Sequence, residues 1–253
     1  MRIAVIADVH GNRWALEAVL EDIERRNIAS TLDLGDTVYG PLDPAGTAEL
    51  MIRRGIPSVS GNEDRIVVAA PGEGDPPTLR LTRGALAPEH LGWLATFPRT
   101  RVASGEVFCC HGTPARDDEY LLEAVTGRGA EARGAAEIAG RVTTVGQPVV
   151  VCGHSHVPRV VRLADGRTIV NPGSVGLQAY TDAKPHPHAM AAGSPHARYA
   201  VLERTGSGWA VEQVAVAYDW ERAAATAARN GRDDWAAWLR TGRADVAPPR
   251  RTA

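Results

Sequence analysis

Apolar residues first come as a short run, Ile3–Ala7, and then at helical spacing, in Ala15, Val19, Leu20 and Ile23. The run predicts a buried strand, and the spacing predicts a helix over Asn12–Arg26 with Asn12 as its cap. The same alternation continues with a strand at Thr31–Leu34, a helix at Pro44–Arg54 and a strand at Ile56–Val59. Residues 62 to 97 read as mostly helical. Pro88 fits the first turn of a helix that ends near Pro98. Glu106–Cys110 and Val149–Cys152 are further apolar strands, with helical patterns between them interrupted near Gly127 and Gly129.

After Gly153 the pattern changes. Arg159–Leu163 and Thr168–Val170 flank "ADGR", and Arg198–Glu203 and Trp209–Ala215 flank "RTGSG". Both are hairpin signals. Early strands therefore alternate with helices while late strands pair locally. That predicts a mixed, layered α/β domain with two sheets, not a purely parallel doubly wound one. Residues 1–216 form this domain. Residues 217–253 read as a helical extension, with two short helices over 219–241 split at Asn230–Gly231, followed by a disordered tail "APPRRTA". The Pro/His/Ala/Gly-rich stretch 178–197 reads as a long loop.

Composition narrows the function classes. The formal charge is −2, so nothing global suggests a nucleic-acid or membrane partner. Met1–Asp8 is too short for a signal peptide, and no apolar run approaches the ~18 residues a membrane span needs. Cys109, Cys110 and Cys152 make no disulfide framework and read as small strand residues. The expected location is the cytoplasm.

Polar residues at the strand ends carry the chemistry. Asp8 and His10 follow the first strand in "ADVHGN", Asp36 the second in "DLGDTVYG", and Asn62 the third in "SGNED". His111 follows Glu106–Cys110 in "CCHGTP", and His154 and His156 follow Val149–Cys152 in "VCGHSHVPR". Alone, each fragment has an ordinary reading as a cap, a turn or a core histidine. Together they place metal-type ligands beside a glycine at five strand ends, where adjacent carboxyl ends form one crevice. Seven groups fill two metal sites if one carboxylate bridges. Histidine and carboxylate ligands without thiolate favour Mn, Fe, Zn, Co or Ni. Only two carboxylates, Asp8 and Asp36, would face two divalent ions. The centre stays cationic and predicts an anionic substrate, phosphate above all.

In order, these motifs resemble the calcineurin-like metallophosphoesterase superfamily, and "NPGSVG" at Asn171–Gly176 resembles its small prokaryotic phosphodiesterase branch. The likeness spans about residues 1–216. It implies a two-sheet mixed β-sandwich flanked by helices. It also implies that Asp8, His10, Asp36 and His156 hold one divalent ion and Asp36, Asn62, His111 and His154 a second. Asp36, Asn62 and His111 would then stand at the catalytic centre. The implied activity is hydrolysis of a phosphoester, most of all a phosphodiester, by a metal-bound hydroxide. The implied partner is a phosphorylated small molecule or nucleotide, with no stable nucleic-acid partner. A dinucleotide polyphosphate hydrolase and a phosphoprotein phosphatase share the same core. A non-catalytic scaffold on this fold is disfavoured because all seven ligand positions are filled.

One departure stands out. Many superfamily members carry histidine after the GN pair, and here Glu63 takes that place, followed by Asp64. A solvated Glu is ionised near neutral pH, so Glu63 reads as a helix-start carboxylate rather than a general acid. Hydrolysis of poor leaving groups is what this puts in doubt. Arg13, Arg65 and Arg116 lie near the motifs as weaker candidates for phosphate contacts, although each also reads as a surface arginine. Tyr39 is a candidate to stack on a base, and Asn12 is a weak substrate-side candidate as well as a cap. His186, His188 and His196 in the 178–197 stretch suggest a lid or a third metal position as the alternative to a surface loop.

Overall fold

The structure, a computed structural model, describes residues 1–245. Strand β1 (Arg2–Ile6) leads through helix α1 (Arg13–Arg25) to β2 (Ser30–Asp33). Four helices follow: α2 (Pro44–Arg54), α3 (Asn62–Val68), α4 (Pro77–Ala85) and α5 (Pro88–Leu94). Next come β3 (Thr100–Ala103), β4 (Val107–Cys110), β5 (Glu123–Thr126), β6 (Gly129–Ala132), α6 (Ala135–Arg141) and β7 (Val149–Val151). The later strands are β8 (Arg159–Arg162), β9 (Thr168–Asn171), β10 (Ala179–Asp182), β11 (His188–Ala191), β12 (Ala197–Thr205) and β13 (Gly208–Val216). Helices α7 (Trp220–Arg229) and α8 (Asp233–Thr241) come last. The tail "APPRRTA", expected to be disordered, lies outside the described residues.

Two sheets carry the fold, ordered β13-β12-β1-β2 and β3-β4-β7-β9-β8. β1 runs parallel to β2, with Val5 opposite Leu32, and β4, β7 and β9 run parallel in the second sheet. Period-2 alternation explains the layering. Ile3, Val5 and Ala7 share one apolar cluster with Val107, Val149, Val151 and Val170 of the other sheet. Their neighbours Ala4 and Ile6 point the opposite way, into a cluster with Leu16, Val19 and Ile23 of α1. On the far side, Val150 and Ile169 meet Ile138 of α6 and the adjoining Val142. The result is a two-sheet sandwich with helices on both outer faces. α1 buries Leu16, Val19, Leu20 and Ile23 on one stripe, each such side chain contributing about 1.5–3 kcal/mol. Asn12 caps it, its Oδ1 accepting from Ala15 N at 3.2 Å.

Three expectations need correction. The segment after His111 is not mainly helical: β5 and β6 form a hairpin, and α6 is its one helix. The two glycines expected to interrupt a helix lie at the hairpin turn, with Gly129 at φ 108°, a conformation side chains disfavour. The 178–197 stretch is also a hairpin, β10 paired with β11 from Ala179–Ala191 to Asp182–His188. Its alternation rests on buried His188 and Met190, which a proline-rich composition hides. Finally, Ile56–Val59 makes only a single parallel bridge, Ser58 to Asp33. α7 and α8 dock through Ala224, Trp235 and Leu239 onto Leu42, Leu177 and Trp14. Among the described residues, no helix is long and apolar enough to cross a membrane.

Candidate metal centre

The parallel strands end on one side of the sandwich, and their exit loops are laced together. Asp8 N donates to Gly35 O at 2.9 Å, His10 N to Asp36 O at 3.0 Å, and Gly153 N to His111 O at 2.7 Å. The NPGSVG segment braces two of these loops at once. Ser174 Oγ donates to Asp8 O at 2.7 Å, and Asn171 Nδ2 donates to Gly153 O at 2.8 Å and to Ser155 Oγ at 3.1 Å. Gly176 passes so close to Val9 that a Cβ there would lie 1.7 Å from the Val9 carbonyl oxygen.

Backbone strain falls at the same places. Asp8, His10, Asp36, His154 and His156 all take positive φ, at 54°, 51°, 53°, 68° and 61°. Among the described residues, only Asn27 and Ser104 share this among non-glycines. Left-handed backbone at a non-glycine costs energy and persists where surrounding contacts impose it. Here it turns ligand-type side chains inward.

The side chains gather into overlapping groups, each with its ligand atoms within 4.8 Å of one another. One is Asp8, His10 and His156; another is Asp36, His111 and His154; a third joins His10 and Asp36 to Glu63. Asp36 and His10 therefore tie the groups together. Asn62 begins α3, and its Oδ1 is buried without a partner.

The histidines are oriented for metal. His10 Nδ1 lies 3.0 Å from Tyr39 O, His111 Nδ1 2.8 Å from Leu34 O, and His156 Nδ1 2.5 Å from Leu177 O. A carbonyl only accepts, so each Nδ1 carries the hydrogen and each Nε2 faces the centre. There His10 Nε2 and His156 Nε2 stand 3.0 Å apart, and His111 Nε2 stands 3.1 Å from Asp36 Oδ2. Two imidazole lone pairs cannot face one another at that distance without a cation between them. Burial opposes protonation of His111, but Asp36 beside it outweighs burial and lifts its pKa to about 10. Burial likewise opposes protonation of His10, and Glu63, with its carboxylate 3.2 Å from Nδ1, lifts that pKa to about 9. Burial pushes His154 down to about 4 and lowers His156. Burial would raise Asp36, but the charge of His111 holds it well below the usual carboxylate range. Buried imidazoles and carboxylates that converge in this way are a donor set that suits a divalent metal ion.

A sign follows. His10 and His111 hold protons at pH 7, and ligation needs neutral imidazole. Loading with Mn at pH 7 is expected to release about two protons per chain, and affinity should rise with pH through about 9 to 10. Calorimetry in two buffers of different ionisation enthalpy measures the release. Zero net release would contradict this arrangement.

Glu63 differs from its expectation. It does begin α3, but it is part-buried rather than solvated, and burial pushes its pKa up to about 7. It adds a third carboxylate, so the charge balance with two divalent ions is less cationic than two carboxylates imply, though still positive. Its neighbour Asp64 is a buried brace. The Asp64 carboxylate accepts from Asp36 N at 2.7 Å, Thr37 N at 2.9 Å and Gly61 N at 3.0 Å.

The centre opens into a cavity of about 290 Å³ lined by His10, Asp36, Asn62, Glu63, His154 and His156. Of the weaker substrate-side candidates, Tyr39 lines it and Asn12, Arg13 and Arg65 do not. Asn12 is held by its cap and by Gly176 O at 2.9 Å; Arg13 pairs with Glu17 at 2.7 Å; Arg65 pairs with Asp117 at 2.7 and 3.0 Å. Arg116 pairs with Asp118 on the surface. His186, His188 and His196 join none of the ligand groups. His188 instead lies 3.0 Å from Tyr120 OH, which lies 2.7 Å from Tyr180 OH, and Tyr180 OH donates to His154 O at 2.9 Å. Sequence reasoning missed this link between hairpin and ligand loop, because it depends on where β10 docks.

Known proteins share this chain's sequence family and fold. The chain is 27% identical over 248 residues to MJ0912, an uncharacterized protein of Methanocaldococcus jannaschii, covering 92% of this chain and 94% of that protein. It is similar in structure to a metallophosphoesterase from Sphaerobacter thermophilus, with TM-score 0.76 and 27% identity over 96% of this chain and 100% of that one. The hypothetical protein PH1004 from Pyrococcus horikoshii OT3 shares the fold at TM-score 0.75 and 19% identity, over 95% and 98% of the two chains. The family model of the calcineurin-like phosphoesterase superfamily domain matches residues 1–192, and this chain belongs to that superfamily.

Proposed function

We propose that this chain, a metal-dependent phosphoesterase by family, is a dinuclear enzyme acting on phosphodiesters. The observation that carries the reading is the pair of groups Asp8–His10–His156 and Asp36–His111–His154, with Asp36 also within reach of His10. Asp8, His10, Asp36 and His156 would hold one ion, and Asp36, Asn62, His111 and His154 the other. Two bound divalent ions would supply Lewis-acid polarisation of the phosphoryl group and an acidified water as nucleophile.

The chain's own groups do the remaining work. The Tyr39, Leu34 and Leu177 carbonyls fix three imidazoles in one tautomer and orientation. Asp64 and the NPGSVG segment hold the ligand loops before substrate arrives. The part-buried Glu63 carboxyl faces the cavity and lies 3.2 Å from His10 Nδ1, where its charge helps to hold that imidazole in place.

The test is elemental analysis of the full chain after chelation and reconstitution with Mn, Fe, Zn, Co or Ni, run beside a phosphoester and nucleotide panel. Two ions per chain with diester hydrolysis are expected. Full activity at one ion per chain would sink the dinuclear reading. Absence of turnover with every metal would sink the enzyme reading.

A further inference from the structure

The cavity beside the metal centre has a wall that the ligands do not explain. The chain holds six tryptophans, five tyrosines and two phenylalanines in 253 residues. Five of them, Tyr39, Tyr120, Tyr180, Trp235 and Trp238, are among the fifteen residues lining this one cavity. Trp235 and Trp238 come from α8, beyond the residues 1–192 matched by the family model.

These rings fall into two sets. Tyr120 and Tyr180 pack on His154 and His156 at centroid distances of 4.6 Å, and their hydroxyls are bonded. Trp235 is buried, sets its edge against His10 at 5.8 Å and carries Arg232 over its face at 5.3 Å. Those three rings support the ligands. Trp238 and Tyr39 are different. Both are half-buried and line the cavity, each packs by one side on the apolar cluster that contains Trp235, and neither is stacked on another ring or set under a cation among the described residues. Arg232, the cation in the lining, is already paired with Asp234 at 2.7 and 2.8 Å. What α8 presents to the cavity is therefore aromatic surface rather than free positive charge.

We infer that Trp238 and Tyr39 determine specificity by receiving a flat aromatic group carried on the phosphoryl substrate, a nucleobase or an aryl ring. This rests on the phosphoesterase reading of the same cavity. A phosphoryl group drawn to the ligand groups brings its substituent into the volume those rings wall. A ring face on a ring face adds affinity that a saturated group of equal size does not match. α8 thus decides which phosphoesters remain bound.

Binding without turnover tests this, because phosphonates have no leaving group. Calorimetry on the full chain, metal-free and Mn-loaded, compares phenyl-, cyclohexyl- and methylphosphonate. The Mn-loaded wild type is expected to bind phenylphosphonate about ten-fold more tightly than cyclohexylphosphonate. Trp238→Leu should bring the two together, and Trp238→Phe should keep most of the preference. Equal binding of phenyl and cyclohexyl compounds by the wild type overturns the inference, even if the variants fail to fold. So does a Trp238→Leu variant that weakens all three ligands alike, or absence of phosphonate binding beside intact phosphoester turnover. A ring preference that survives in a protein with no phosphoesterase activity would instead overturn the proposed reaction and leave the aromatic site standing.

Discussion

Asp36→Asn is expected to lower phosphoester turnover by more than about 10²-fold, because loss of a group that merely supports a ligand already costs ~10–100-fold. Asp36 does more than support. One oxygen accepts from Glu63 N at 2.8 Å, and the other faces His111 Nε2 at 3.1 Å. It belongs to the group with His111 and His154 and to the group with His10 and Glu63. An amide of the same shape keeps one acceptor and places an NH₂ where the other oxygen stood. That NH₂ meets either a backbone N–H or a metal position, and neither accepts it. The substitution also removes a negative charge from among four imidazoles. Glu63→Gln is the control. It touches His10 alone among the histidines, 3.2 Å away, so its loss should cost about ten-fold or less, the range of a single charge-assisted hydrogen bond. Metal content and kcat at saturating Mn separate the two. Equal losses at full metal occupancy would make Glu63 a catalytic acid or base and demote Asp36 to a ligand like the others.

How much of this was legible in the sequence follows from what each feature depends on. The seven ligand-type residues could be picked out because each lies within four residues of the end of an apolar run and within three of a glycine, a local signal. The left-handed backbone at Asp8, His10, Asp36, His154 and His156 was not readable, since their neighbours impose it. The two sheets followed from runs such as Ile3–Ala7 and the hairpin signals near Gly166 and Gly208. The hairpins of β5–β6 and β10–β11 were missed because four-residue strands carry too little alternation to outweigh a glycine- or proline-rich neighbourhood.

Glu63 shows the limit most clearly. Its identity and its place at a helix start were plain, but its burial against His10 needs α3 and the β1 exit loop docked together. The aromatic wall has the same origin. Helical spacing marks Trp235 and Leu239 as one buried face of α8, and it says nothing of the cavity that Trp238 overlooks.

Gly61→Ala is expected to damage the centre nearly as much as loss of Asp36, although Gly61 carries no chemistry. Its backbone is ordinary, at φ −83° and ψ 173°, so glycine is not needed there for conformation. It is needed for room. A Cβ would lie 2.1 Å from Asp36 Oδ1 and 2.5 Å from Asp36 N. Both atoms are pinned, the amide by Asp64 and the carboxylate by Glu63 N. Space can come only from moving Asp36 or the loop that carries Gly61, which itself packs against Gly35. Overpacking of this kind costs about 1–3 kcal/mol in stability. The displaced carboxylate should add a loss of metal and of turnover. Gly55→Ala provides the contrast. Gly55 ends α2 at φ 60°, and a Cβ there would meet nothing within 4 Å. Alanine at that position strains the backbone by roughly 1–2 kcal/mol and touches no ligand. Both variants should melt early, and only Gly61→Ala should lose metal and activity. Urea melts, metal content and kcat on the same preparations decide it. A Gly61→Ala protein that keeps two ions and full turnover would show that the Asp36 loop gives way freely, and that the rigid lacing around the centre is not what holds its carboxylate in place.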